Sequence, residues 1–199
     1  MTVPTAVMTK LDAVNALLGS IGQSPVNTIT GPLPSDAARA VLNVDTCLRD
    51  VLSKGWSFNT DTDYLLNPDV NGEILIPDNA LWVDPVSQAD DFVMRWEQNV
   101  PKLYDRRNRT FEIGRVAECN IIWGFNFEEI PQAARSYITA RAGRIFQTNI
   151  VGSRLLYEYT QEVEREQYAA FKRMEKRSKR YNLIGDDPTA QRHYNPTRF

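Results

Sequence analysis

Tyr64-Leu65-Leu66-Asn67-Pro68-Asp69-Val70-Asn71-Gly72-Glu73-Ile74-Leu75-Ile76 is the stretch on which the fold class turns. Two short apolar runs, 64–66 and 73–76, flank a proline and an Asn-Gly pair. Asn and Gly tolerate the positive φ of a tight turn, so the pair between two such runs predicts a hairpin. The same grammar continues outward over 58–125. Pro77, Pro85 and Pro101 separate the short runs Leu81–Val86, Asp91–Trp96, Lys102–Tyr104, Thr110–Ile113 and Ile121–Phe125, and Asp105-Arg106-Arg107-Asn108 reads as a further turn. The segment is predicted to be a small antiparallel β region.

On either side the period changes to that of helices. Thr9 and Asp12 have capping-box form, and Leu11, Val14, Leu18 and Ile21 follow at helical spacing until Gly22 and Pro25, predicting a helix over 9–21. Ala37, Val41, Val44, Leu48 and Val51, broadened by Leu42 and Leu52, predict a second helix that ends at Gly55. A third begins near Pro131, with Ala134, Ile138, Ala142 and Phe146 on its apolar face. A fourth spans about 153–181, with Leu156, Tyr159, Val163, Ala170 and Met174 on one face. The expected fold is α+β: a four-helix bundle core from residues 1–58 and 126–184, an inserted antiparallel β region over 59–125, and an extended C-terminal tail over 185–199.

Charge is unevenly spread. Residues 59–97 carry nine acids and a single base, Arg95, whereas residues 98–199 carry eighteen bases and twelve acids. Such polarity suits oriented docking between copies or partners; solvated faces of differing sign are the plainer reading. Two cysteines, Cys47 and Cys119, do not make a disulfide framework, so a reducing compartment is expected. The start lacks a basic and apolar leader, and no apolar run approaches 18 residues, so no membrane anchor is expected.

Catalytic constellations are hard to assemble. The single histidine, His193, lies in the expected tail. The cysteines have no histidine neighbours at zinc-binding spacing, and no phosphate-binding glycine loop or nucleophile elbow occurs, so neither enzyme activity nor a cofactor is expected. Acid pairs such as Asp61/Asp63, Asp90/Asp91 and Glu128/Glu129, near Trp82, Trp96 and Trp123, leave a glycan-degrading hydrolase as the alternative. Arg106, Arg107 and Arg109, with the basic end of the fourth helix, leave a DNA-binding module as a further one.

Three stretches taken together resemble a known family. They are Ala13-Val14-Asn15 through Leu18-Gly19-Ser20-Ile21-Gly22 with Pro25-Val26; Lys54-Gly55-Trp56-Ser57-Phe58-Asn59; and Ile130-Pro131 with Arg135-Ser136-Tyr137-Ile138, Ala142 and Arg144-Ile145-Phe146-Gln147. In this order they resemble the tail tubular protein A family of T7-like short-tailed phages. The resemblance implies a structural virion protein, assembled in the host cytoplasm into the virion tail. There it forms a dodecameric adaptor, or gatekeeper, ring between the portal protein and the nozzle protein, tail tubular protein B. Tail fibres attach nearby, and genomic DNA passes through without specific binding. On this reading Arg173, Lys176, Arg177, Arg180, Tyr181, His193 and Tyr194 contact the portal. Arg106, Arg107, Arg109, Asp61 and Asp63 contact a neighbouring copy or the nozzle.

Overall fold

The computed structural model describes residues 7–186. Four helices and two antiparallel sheets make the fold α+β: α1 (Lys10–Ser20), α2 (Ser35–Leu52), β1 (Thr60–Leu66), β2 (Ala80–Pro85), β3 (Phe92–Glu97), β4 (Val100–Asp105), β5 (Ala117–Trp123), a short 3-10 turn at Phe127–Glu129, α3 (Gln132–Ile150) and α4 (Arg154–Asp186). The chain divides into two compact units, one running up to Leu48 and resuming at Phe127, the other Arg49–Asn126.

In the helical unit α3 packs along α4 and against α1. The Thr9 hydroxyl accepts from the Asp12 amide (3.1 Å) and the Asp12 carboxylate accepts from the Thr9 amide (2.9 Å), so both arms of the capping box are made. Those hydrogen bonds hold the Asp12 carboxyl below its ordinary pKa. Val14, Leu17 and Leu18 of α1 are buried, as are Ala40, Val44 and Cys47 of α2 and Ile138, Ala142 and Phe146 of α3.

Two helix faces depart from the sequence reading. Leu42, expected in the apolar stripe of α2, is 62% exposed; it sits on the opposite side of the helix from Ala40, Val44 and Cys47, which carry the packing. On α4 the contact with α3 is made by Phe171, stacked on Tyr137, and by Glu164 and Tyr168, while Tyr159 points to solvent. The helix also runs past Tyr181, through Gly185 to Asp186, because the first residue that cannot continue it is Pro188. The rest of the expected tail, 187–199, lies outside the described residues.

In the second unit β5 is the centre of a three-stranded sheet in the order β1-β5-β2, and β3 and β4 form a separate two-stranded sheet. Leu66, Ile74, Val83, Phe92, Leu103, Cys119 and Ile121 meet in one core. The hairpin expected from Asn71-Gly72 is absent: β1 pairs with β5, not with 73–76. The turn itself forms, with the Asp69 carboxylate accepting from the Asn71 and Glu73 amides (2.8 and 2.9 Å). The chain leaving it makes only bridges, Leu75 to Lys102 and Glu73 to Glu112. Ile74 and Ile76 are buried in the core, and burial there competes with pairing to β1. The run 110–113 likewise forms bridges and not a strand.

Both cysteines are buried thiols. Burial, with Asp84, Asp90 and Glu118 nearby, pushes the Cys119 thiol up to about 11. A thiol so raised stays protonated at neutral pH. The expected result is slow alkylation of the native chain at Cys119 by iodoacetamide, read by peptide mass, with rapid reaction only after unfolding.

Candidate assembly surfaces

The basic turn after β4 is built by one acid. The Asp105 carboxylate accepts from the Arg107 amide (2.8 Å), the Asn108 amide (3.0 Å) and the Asn108 side-chain amide (2.8 Å). The Asp105 amide donates to the Thr110 carbonyl (2.9 Å) and closes the loop. The hydrogen bond from the Asn108 amide is the largest influence holding the Asp105 carboxyl below its ordinary pKa. Arg109 adopts a left-handed backbone, φ 57°.

A carboxyl depressed in the fold stabilises it above the unfolded value of about 3.9, and that contribution is lost as pH falls through the folded value. Between pH 6 and pH 3 the wild type is therefore expected to lose more thermal stability than Asp105→Asn, which keeps an acceptor and does not titrate. Equal losses in paired melts would remove Asp105 from the acid response.

On this turn the three arginines are all exposed but not equivalent. Arg106 is ion-paired with Asp91, and its amide donates to the Asp91 carbonyl (2.9 Å). Arg115 pairs with Asp90 in the same region. Asp90, Asp91, Asp105 and Glu112, with Arg107 and Arg115, line a polar cleft of about 190 Å³. Arg106 is thus spent within the unit, which leaves Arg107 and Arg109 as the turn's outward cations.

Asp61 and Asp63 lie elsewhere, on β1 at the edge of the three-stranded sheet. Asp61 accepts from the Trp123 indole (2.8 Å). Asp63 sits at a register break with φ 57°, its amide 3.4 Å from the Asn120 side-chain oxygen. A bulge and two acids on an edge strand discourage indiscriminate strand addition. The structure therefore does not join these acids with the arginine turn in one site.

The remaining expected contacts fall on α4. Arg173, Lys176 and Arg177 are exposed. Arg180 and Tyr181 belong to the helix, but their side chains are outside the described residues, as are His193 and Tyr194 altogether. Between α3 and α4 a cavity of about 200 Å³ is lined by Tyr137, Arg144, Tyr157, Glu164 and Tyr168. There Glu164 is ion-paired with Arg144 and lies 3.5 Å from Arg141. The hydrogen bond to Glu164 raises the Arg144 pKa further, and burial raises that of Tyr137.

The acids considered for hydrolysis have local duties: Asp90 and Asp91 each hold an arginine, and Glu128 accepts from the Lys10 amide (2.9 Å). Among the described residues no group of three or more His, Cys, Asp or Glu side chains could hold a metal ion, and no helix is long and apolar enough to cross a membrane.

Several exposed apolar residues escaped the sequence reading. Trp82 and Trp96, on β2 and β3, face solvent, and so do Leu155 and Tyr159 on α4. The signal for the last two was available: at about 100° per residue they fall on the arc of Glu158 and Glu162 and not on that of Phe171.

Rigid elements that present charge and exposed aromatic and aliphatic side chains equip a protein to bind other proteins and so to build an assembly. Residues 11–181 match the tail tubular protein family. The chain is also 28% identical over 160 residues to tail tubular protein A of Klebsiella phage KP34, covering 79% of this chain and 82% of that protein. The chain belongs to the tail tubular protein family, and it is a structural protein of a phage virion, placed in the tail.

Proposed function

We propose that this chain is the subunit of the adaptor ring that joins the portal protein to the tail nozzle, with tail fibres attached nearby and the DNA ejection channel passing through it. The observation that carries the reading is the match to the tail tubular protein family over most of the chain. The polarity of α4 supports it: exposed Glu158, Glu162 and Glu166 in the first half, exposed Arg173, Lys176 and Arg177 in the second. A ring needs two different complementary patches on each copy. In this reading the four helices, from 1–58 and 126–184, form a bundle whose α4 end, with Arg180, Tyr181 and the segment carrying His193 and Tyr194, docks on the portal. The 59–125 region meets a neighbouring copy or the nozzle protein, tail tubular protein B, through Arg107 and Arg109 of the turn, with Arg106 held back by Asp91, and through Asp61 and Asp63 on the sheet edge. Assembly takes place in the host cytoplasm.

The test is to mix the purified chain with portal rings of the same phage and weigh the product by native mass spectrometry. A complex with about one copy per portal subunit is the expected result. No complex, from a chain shown to be folded, overturns the reading. Removing residues 187–199 is expected to abolish portal capture and leave the circular dichroism spectrum intact.

At the arginine turn the double reversal Arg107→Glu and Arg109→Glu avoids the Asp91 pair. It is expected to weaken tail assembly by about tenfold at low salt, consistent with loss of complementary interfacial charge. Unchanged assembly would remove the turn from the interface.

A further inference from the structure

We propose that the outward face of α4 is a self-complementary docking surface, which takes α4 of a second copy of this chain in antiparallel register. The helix spans 33 residues, about 50 Å at 1.5 Å per residue. One side of it is committed to α3 through Glu164, Tyr168 and Phe171. The opposite side faces solvent over most of the helix and is ordered by charge.

Glu158, Glu162 and Glu166 recur every fourth residue and are exposed. Arg173, Lys176 and Arg177 continue along the same arc and are exposed too. Midway between the two groups lies Ala169, also exposed. Reversing the helix about Ala169 brings each acid onto the position of a base. Glu162 comes opposite Lys176 and beside Arg177, Glu166 comes opposite position 172, one residue from Arg173, and Glu158 comes opposite the position of Arg180. A two-fold contact makes every such pairing twice. A small side chain at the crossing lets the two helix axes approach closely.

Two apolar side chains at the acidic end give the contact something to bury. Leu155 is 77% exposed and Tyr159 is 69% exposed, both on this arc. The acids have only loose local partners, Arg154 to Glu158 at 3.3 Å and Arg165 to Glu162 at 3.5 Å, all well exposed. Exposed pairs of this kind contribute little and exchange at little cost.

The same basic residues are those assigned to the portal under the proposed function, and on that reading the antiparallel pair would occupy them until the portal competes for them. The pairing itself stands on the charge order of α4 and not on that reading.

The test uses full-length chain in sedimentation velocity, with circular dichroism to establish folding. The wild type is expected to be a dimer at micromolar concentration, weakened about tenfold or more when salt screens the pairs. The variant Glu162→Lys with Glu166→Lys is expected to be monomeric, as is Arg173→Glu with Lys176→Glu. Mixed together, the two variants are expected to form a heterodimer, because one now presents a mostly basic face, with Glu158 its remaining acid, and the other a mostly acidic one, with Arg177 kept. A monomeric wild type, variants that still self-associate, species heavier than a dimer, or a mixture that stays monomeric would each overturn the proposal. Portal capture is measured on the same samples. The Glu162→Lys, Glu166→Lys variant keeps the basic end, so portal binding without wild-type dimers sinks the pairing alone, and wild-type dimers without portal binding sink the adaptor reading alone.

Discussion

Arg135→Ala is expected to lower the stability of the helical unit by about 4 kcal/mol, because a charged donor's hydrogen bonds contribute about 1.5–3 kcal/mol each and are not additive. Arg135 is only 6% exposed. Its Nε donates to the Ile130 carbonyl (2.8 Å), and its other two nitrogens donate to the carbonyls of Met8 (2.7 Å) and Glu128. One guanidinium thus ties the segment before α1 and the turn before α3 to α3 itself. Alanine leaves three main-chain acceptors facing a void. Lysine keeps the charge but offers a point donor in place of a planar fork, so Arg135→Lys should fall between the two. A domain of this size loses about 2–4 °C of melting temperature per kcal/mol, which places the alanine variant about 8–16 °C below wild type. Thermal melts followed by circular dichroism at 222 nm check this. An alanine variant melting with the wild type would mean that water replaces the guanidinium at all three carbonyls.

Arg135 also illustrates what the sequence could and could not convey. It lies in one of the three stretches that carry the family resemblance, yet nothing in its spacing announces a buried cation. Its partners are carbonyls, which have no residue signature, and two of them come from segments with no helical or strand period. Asn15 behaves alike: its side chain donates to the Val26 carbonyl (3.0 Å) and accepts from the Val26 amide (2.8 Å), pinning the chain after α1. Gln147 reaches the Ser20 carbonyl from α3 (3.3 Å). The resemblance was legible as an ordered set of residues, and its physical content, side chains that hold main chain, was not.

Periodic features fared better. The capping box at Thr9 and Asp12 and the α2 face at Ala37, Val44 and Leu48 follow from spacing alone, because helix geometry maps sequence distance directly onto a face. Strand pairing has no such map. The Asn71-Gly72 signal was real as a turn but said nothing of which run β1 would join. The hairpin that does form, β3 with β4, turns on Gln98-Asn99, both with positive φ (50° and 66°) and with no glycine to mark them. For α4 the reading placed Leu156, Tyr159, Val163, Ala170 and Met174 on one face, whereas Glu164, Tyr168 and Phe171 make the contact with α3. A half-buried glutamate paired with arginines is not visible as a packing residue in a hydropathy pattern.

The second large effect is expected at Asn59. This side chain is 1% exposed and makes three hydrogen bonds: Nδ2 donates to the carbonyls of Leu52 (3.0 Å) and Trp123 (2.7 Å), and Oδ1 accepts from the Trp56 amide (2.8 Å). It joins the end of α2, the turn that follows and the end of β5, where the Trp123 amide also donates to the Asn59 carbonyl (2.8 Å). Asn59→Ala strands two acceptors and a donor, at about 1–3 kcal/mol each before relaxation, so a net loss of about 3 kcal/mol is expected. Asn59→Asp separates the two functions of the amide. It retains the acceptor for Trp56, but it sets a carboxylate against two carbonyl oxygens in a buried site, where charge without a partner is costly. The aspartate variant should therefore be less stable than alanine at neutral pH and should recover towards it as pH falls, since protonation restores a donor. Denaturant unfolding followed by tryptophan fluorescence, with Trp56 and Trp123 beside the site, reads both effects. If aspartate matches asparagine at neutral pH, the two donated bonds carry no net stability, and the turn is held by the bonds that remain: the Trp56 amide to the side chain at 59, the main-chain pair with Trp123, and the Trp56 indole, which donates to the Val51 carbonyl (2.7 Å).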